Sequence, residues 1–328
     1  MKKVVMVLLV LILAGGIAFA APGKEGGAGD GLGDYPNKPI KCILPFAPGG
    51  GTDTFARTLL KYVNPTLKHP IAIVNIEGAS GLVGAMEFYN GPNDGYTIMA
   101  HAVDLVVGYT LSKQTPIPLW KELPTICWAG IDYQGAFASK QSGFKTVEDF
   151  VTYAKANPGK ITYGTVGARN INNRNAAMII DGLGLTGLVT MVPYDNGGQI
   201  RTALLGNHIQ VSQASVGDFN TLISSGDAVP LVLVSDRRTK LAPNVPTSVE
   251  KGLKDLTALI PRGFYAAKGT NPAIIKFLEE KFKAGVENPE FVAEITRLYT
   301  DPVFIPGAEA LKLCEEMYNQ FKPYFDNL

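Results

Sequence analysis

From Pro39 onward, short apolar runs alternate with stretches whose apolar residues recur every three or four positions, the signatures of buried strands and of helices. Residues 40–46 read as a strand, and residues 54–62 follow as a helix with Phe55, Leu59 and Tyr62 or Val63 on one face. Residues 71–76 form the next strand, 82–89 the next helix, and 96–101 a third strand after the turn Pro92-Asn93-Asp94-Gly95. Strand, helix, strand, helix, strand is the order of a parallel sheet with its crossovers on both faces.

The pattern restarts after a strand-like stretch at 126–137. Residues 147–157 are helical and stopped by Pro158-Gly159, and a strand at 161–163 leads through a loop into a helix at 172–182. Strands at 188–192, 209–214 and 229–234 alternate with helices at 199–205 and 219–224, and the tail from Pro272 is mostly helical with breaks at Pro289, Pro302 and Pro306. Each half thus places glycine-rich strand-to-helix loops at one edge of a sheet, and two such domains facing each other form a cleft. Ligands of open α/β sheets sit outside the carboxyl ends of the strands. Free N–H groups at a helix start suit an anion there. The loop Pro45-Phe46-Ala47-Pro48-Gly49-Gly50-Gly51-Thr52-Asp53 fits this use and also fits a plain tight turn. Asp53 reads as the helix N-cap, its carboxylate tying up N–H groups.

Composition narrows the class. A basic Met1-Lys2-Lys3, an apolar run at 4–14 and Ala18-Phe19-Ala20 make residues 1–20 a signal peptide cut after Ala20, with an uncleaved anchor as the alternative. Residues 21–34 read as a flexible linker that packs on nothing. Some 294 residues remain of the 328, enough for two domains. With 30 basic and 29 acidic residues and no basic stripe, nucleic acid is not an expected partner. Cys42, Cys127 and Cys314 fit no zinc spacing; Cys42 and Cys127 lie in strand-like apolar runs and read as buried thiols, with one disulfide and one free thiol as the alternative. His69, His101 and His208 are too scattered for a metal site, and neither a P-loop lysine nor a nucleophile elbow is present. The expectation is a protein without cofactor or metal and without catalysis.

The ordered set of short motifs resembles a family. Tyr35-Pro36-Asn37-Lys38-Pro39-Ile40 with the 45–53 loop, Asn75 and the glycine-rich loop after it, and Pro92-Asn93-Asp94-Gly95-Tyr96-Thr97 look like the tripartite tricarboxylate transporter receptors, the Bug family. Val192-Pro193-Tyr194, Gly197-Gly198, Leu205-Gly206-Asn207-His208-Ile209, Ser225-Gly226 and Pro243-Asn244-Val245-Pro246-Thr247 continue in the family's order, so the resemblance covers Tyr35 to the end. It implies an α/β, two-lobed periplasmic-binding-protein fold of the class II type, each lobe a mainly parallel sheet with helices on both faces. Lobe 1 would hold residues 35–135 and 262–328 and lobe 2 residues 136–261, with crossings near 133–138 and 259–265. The implied role is capture of a small organic carboxylate in the periplasm, a monocarboxylate or dicarboxylate before a tricarboxylate or acidic amino acid. Delivery goes to the membrane permease subunits of a tripartite transporter, by a monomeric receptor.

The resemblance also implies which residues bind. Phe46, Ala47, Gly49, Gly50, Thr52 and Asp53 match the loop that holds one carboxylate, and Ser80 and Gly81 match the second loop of that lobe. Thr165, Val166, Gly167, Ala168, Arg169 and Asn170 match the helix start that receives the ligand's other end. Arg169 departs from the family, which commonly has glycine there. It either enters the cleft and grips a carboxylate with two hydrogen bonds, or lies solvated at the rim beside Asp195 or Asp218. Tyr194 and Asp218 are further candidates, each with a packing or surface role as the alternative. A sensory receptor that transports nothing, and a cell-envelope enzyme using Asp53, Tyr194 and Asp218 as acid–base groups, are the competing functions.

Overall fold

The computed structural model describes residues 32–327 apart from 169, 237, 239–241, 254–255 and 257–258. The expected signal peptide, most of the expected linker and Arg169 therefore lie outside the described residues. The first half follows the order β1 (Ile40–Leu44), α1 (Gly51–Val63), β2 (Ile71–Asn75), α2 (Leu82–Tyr89), β3 (Thr97–Ala102), α3 (Val103–Leu111) and a short α4 (Leu119–Glu122). A long β4 (Thr125–Ser139) leads into α5 (Val147–Ala156), β5 (Ile161–Val166), α6 (Ile171–Gly182), β6 (Val189–Tyr194), α7 (Gly197–Leu205), β7 (Val211–Ser215), α8 (Asn220–Ser225) and β8 (Ala228–Leu233). The chain ends with β9 (Leu259–Ala266), α9 (Pro272–Val286), α10 (Pro289–Arg297), a two-residue β10 (Ile305–Pro306) and α11 (Gly307–Asp326).

Among the described residues the strands run in the order β2-β1-β3-β9-β4-β7-β5-β6, with β8 and β10 both pairing to β4. β1 is parallel to β2 and β3, and β5 is parallel to β6 and β7. The two strands in the middle are antiparallel. β4 pairs with β9 through residues 125–133, then with β7 and β8 through residues 134–139. One continuous strand thereby belongs to both halves of the sheet.

Alternation decides which face each side chain takes. Ile40, Cys42 and Leu44 of β1 point to a core under α1, α9 and α10, with Phe55, Leu59, Phe282 and Phe291. Ile43 points the other way, to a core under α2, α3 and α11 with Val106, Tyr109 and Phe321. The second half repeats this, α5 and α6 covering one face and α7 and α8 the other. Cys42, Cys127 and Cys314 are buried free thiols, and burial raises the pKa of Cys42 to about 12.

Two expectations need correction. Leu32, read as part of a linker that packs on nothing, lies against the α1 and α9 core, and Asp34 pairs with Lys68 at 3.0 Å. Leu32 is apolar, and covering it against this core is favourable. Asp53 is not the N-cap: α1 starts at Gly51 with Gly50 as cap, so Asp53 stands inside the first turn. Glycine tolerates the cap geometry without a side-chain acceptor, and the helix therefore begins earlier than the first polar cap residue suggests.

Candidate functional site

The loop between β1 and α1 is braced from below. Asp53 is 2% exposed and accepts hydrogen bonds from Gly49 N–H at 2.9 Å, from Asn75 Nδ2 at 2.9 Å, and from Arg57 Nε at 3.0 and 2.9 Å. Asn75 Nδ2 also donates to Phe46 O at 2.8 Å. Burial alone would raise the Asp53 pKa, but these donors outweigh it and hold the carboxyl below its ordinary value. Asp53 thus shapes the loop from behind, and the loop presents Phe46, Ala47, Gly50, Gly51 and Thr52 to a cleft of about 590 Å³. That volume suits a small organic molecule.

The second loop of this half has Ala79 and Ser80 at φ of 46° and 54° and Gly81 at 94°. A Cβ on Gly81 would lie 2.8 Å from Tyr109 Oη and 3.0 Å from His101 Nε2, so glycine is required by space as well as by conformation. Tyr109 Oη donates to Ser80 O at 2.8 Å and lies 2.9 Å from His101 Nε2. Burial lowers the His101 pKa to about 4.

The opposite wall is built from the starts of α6 and α7. Asn170 caps α6, accepting from Asn173 N–H at 3.1 Å, and Asn196 caps α7, accepting from Gln199 N–H at 3.0 Å. Thr165 Oγ1 donates to Gly167 O at 3.2 Å. Val166, Gly167, Ala168 and Tyr194 line the cleft. The walls come close, since a Cβ on Gly167 would lie 3.1 Å from Ser80 Oγ.

Asp218 bridges them: its Oδ1 accepts the N–H of Gly51, the first residue of α1. A carboxylate at this helix start is placed where the backbone dipoles favour it. Behind it, Arg262 of β9 donates to Thr52 Oγ1 at 2.7 Å and to Asp132 Oδ2 of β4 at 2.7 Å. Arg262 is 3% exposed and Asp132 is fully buried. Burial raises the Asp132 pKa while Arg262 pulls it down.

The structure thus brings Phe46, Ala47, Gly50, Thr52, Ser80, Gly81, Val166, Gly167, Ala168, Tyr194 and Asp218 to one cleft. Gly49, Asp53, Thr165 and Asn170 lie behind its lining and shape the loops, and Arg169 lies outside the described residues. Asp104, Arg201 and Arg262 also line the cleft and were not anticipated. Asp104 and Arg262 had a signal: each is a lone charge inside an apolar run, at 102–107 and 259–266, which marks a buried charge. Among the described residues no group of acids, histidines and cysteines is arranged to hold a metal ion, and no helix is long and apolar enough to cross a membrane.

Two half-sheets joined by shared strands, with a cleft at the strand ends, define the two-lobed fold of a periplasmic binding protein. The solved structure of the periplasmic binding protein BugD superposes with a TM-score of 0.81 at 23% identity, covering 89% of this chain and 98% of that one. MatC from Rhodopseudomonas palustris with bound malate superposes at 0.79 with 20% identity, covering 89% and 100%. The "UPF0065 protein in gbd 5'region" of Cupriavidus necator is 26% identical over 298 residues, 90% of this chain and 88% of the relative. Residues 55–328 match the family model described as "Tripartite tricarboxylate transporter family receptor", and the chain belongs to that family.

Proposed function

We propose that this protein is a noncatalytic extracytoplasmic receptor that captures a small organic carboxylate between its lobes and passes it to the permease subunits of a tripartite tricarboxylate-type transporter. The observation that carries this is the set of glycine-bearing strand-to-helix loops converging on one cleft from both walls, with α1 and α7 opening at it. Their N–H groups and the Arg201 side chain supply donors for a carboxylate without any reacting group. Family membership and the malate held by the MatC neighbour support the same class of ligand. Lobe 1 comprises residues 35–135 and 262–328 and lobe 2 residues 136–261, hinged where β4 and β9 run side by side. Residues 1–20 act as a signal peptide that sends a monomeric protein to the periplasm.

Isothermal titration of residues 21–328 with small carboxylates and with their methyl esters tests the reading. A bound acid recovered unchanged, with an ester at least tenfold weaker, is the expected result, the loss corresponding to one charge-assisted hydrogen bond or more. An ester that binds as tightly as its acid overturns it.

A further inference from the structure

Among the described residues, the floor of the cleft is rich in carboxyl groups. Arg262 stands among three carboxylates: Asp132 at 2.7 Å, Asp218, whose Oδ1 and the Arg262 Nη2 both approach Gly51, and Asp104 on the first turn of α3. Asp104 is the unmatched one. It is 1% exposed and its Oδ1 has no hydrogen-bond partner; its carboxyl is otherwise held by a long 3.4 Å contact from Gln134 Nε2 to Oδ2 and by the backbone N–H groups of Leu105 and Asp104 itself. A buried carboxylate oxygen without a donor is costly, so it calls for a partner from outside the chain.

Among the described residues the charged side chains lining the cleft are Glu77, Asp104, Asp195 and Asp218 against Arg201 and Arg262. Arg262 is already engaged with Asp132, so among the described residues the carboxyl groups at the floor outnumber the cations left to meet them. A second ligand carboxylate pressed onto it would meet like charge at low dielectric, whereas an ammonium group would supply the donor that Asp104 lacks. Burial holds the Asp104 carboxyl up at about 7 against the pull of Arg262, and a cation beside it would return it to the ionised form.

We propose that the ligand is a zwitterion with a single carboxylate, its protonated amine seated on Asp104 and its carboxylate on the glycine loops. This rests on the carboxylate reading above and narrows it away from di- and tricarboxylates. Asp104 becomes the residue that sets specificity.

Calorimetry on residues 21–328 would compare 4-aminobutyrate with butyrate, leucine with 4-methylpentanoate, succinate as the dicarboxylate, and butylamine as the amine alone. An amino acid at least tenfold tighter than both its deaminated partner and succinate is expected, on the scale of one charged hydrogen bond. Asp104→Asn, which removes a charge that burial disfavours and so should fold, is expected to erase that preference by weakening the amino acids at least tenfold. A deaminated acid or succinate binding as well as the amino acid overturns the proposal and leaves the carboxylate reading standing. Butylamine binding as tightly as 4-aminobutyrate keeps the Asp104 seat and overturns the carboxylate reading. No binding by any of these probes overturns both.

Discussion

His101 and Asp104 lie close together where β3 passes into α3, both buried, and their titrations pull stability in opposite directions. Burial depresses His101 from 6.5 to about 4, so its contribution is present above pH 6.5 and lost as pH falls through 4. Burial raises Asp104 from 3.8 to about 7, so its contribution is present below pH 3.8 and lost as pH rises through 7. Asp104→Asn is expected to gain stability over the parent as pH rises from 4 to 8, by up to about 4 kcal/mol if the whole shift is expressed. His101→Gln is expected to gain on the acid side instead. Denaturant midpoints across pH check both, and parallel curves for parent and variants would refute the assignment. Gly81 was legible as a residue, because a backbone at φ 94° is a local demand that favours glycine. Which buried acid lacks a donor was not, since that depends on neighbours brought from elsewhere in the chain.

Among the elements, helix α2 shows how well periodicity works: the expected 82–89 helix is Leu82–Tyr89. Helix α3 shows where it fails. All but one of its residues are buried, Thr110 excepted, so apolar positions surround it and no amphipathic period marks it. Its burial between α11 and the sheet is a tertiary fact. The joint of β9, β4 and α1 is held by Arg262, which reaches Asp132 and Thr52 together. Arg262→Met is expected to leave the Asp132 carboxylate buried and unpaired, costing about 3–5 kcal/mol. Adding Asp132→Asn should recover much of that loss. Equal midpoints for Arg262→Met and the parent in urea unfolding would show that the pair adds nothing to stability.

For the whole molecule, strands β4 and β9 run antiparallel between the two halves, where we propose the hinge. Closure on a ligand is expected to reduce the radius of gyration in small-angle scattering, and an unchanged value with ligand bound by calorimetry would argue for a rigid cleft. A contact already spans the walls, from Asp218 to Gly51 N–H. Asp218→Ala is expected to widen the unliganded distribution in the same measurement.

Alternation of strands and helices, the glycine loops and the motifs that mark the family were all readable in the sequence, because periodicity, backbone freedom and short spacing act over a few residues. The start of α1 was displaced slightly, because a glycine cap leaves no polar signature. Tertiary structure alone decided the chemistry of the cleft floor. Arg262 meets Thr52 across 210 positions of chain, and Asp132 meets it across 130. Charges so far apart in sequence meet strongly only once the fold has removed water between them, and that low-dielectric neighbourhood leaves the Oδ1 of Asp104 without a hydrogen-bond partner.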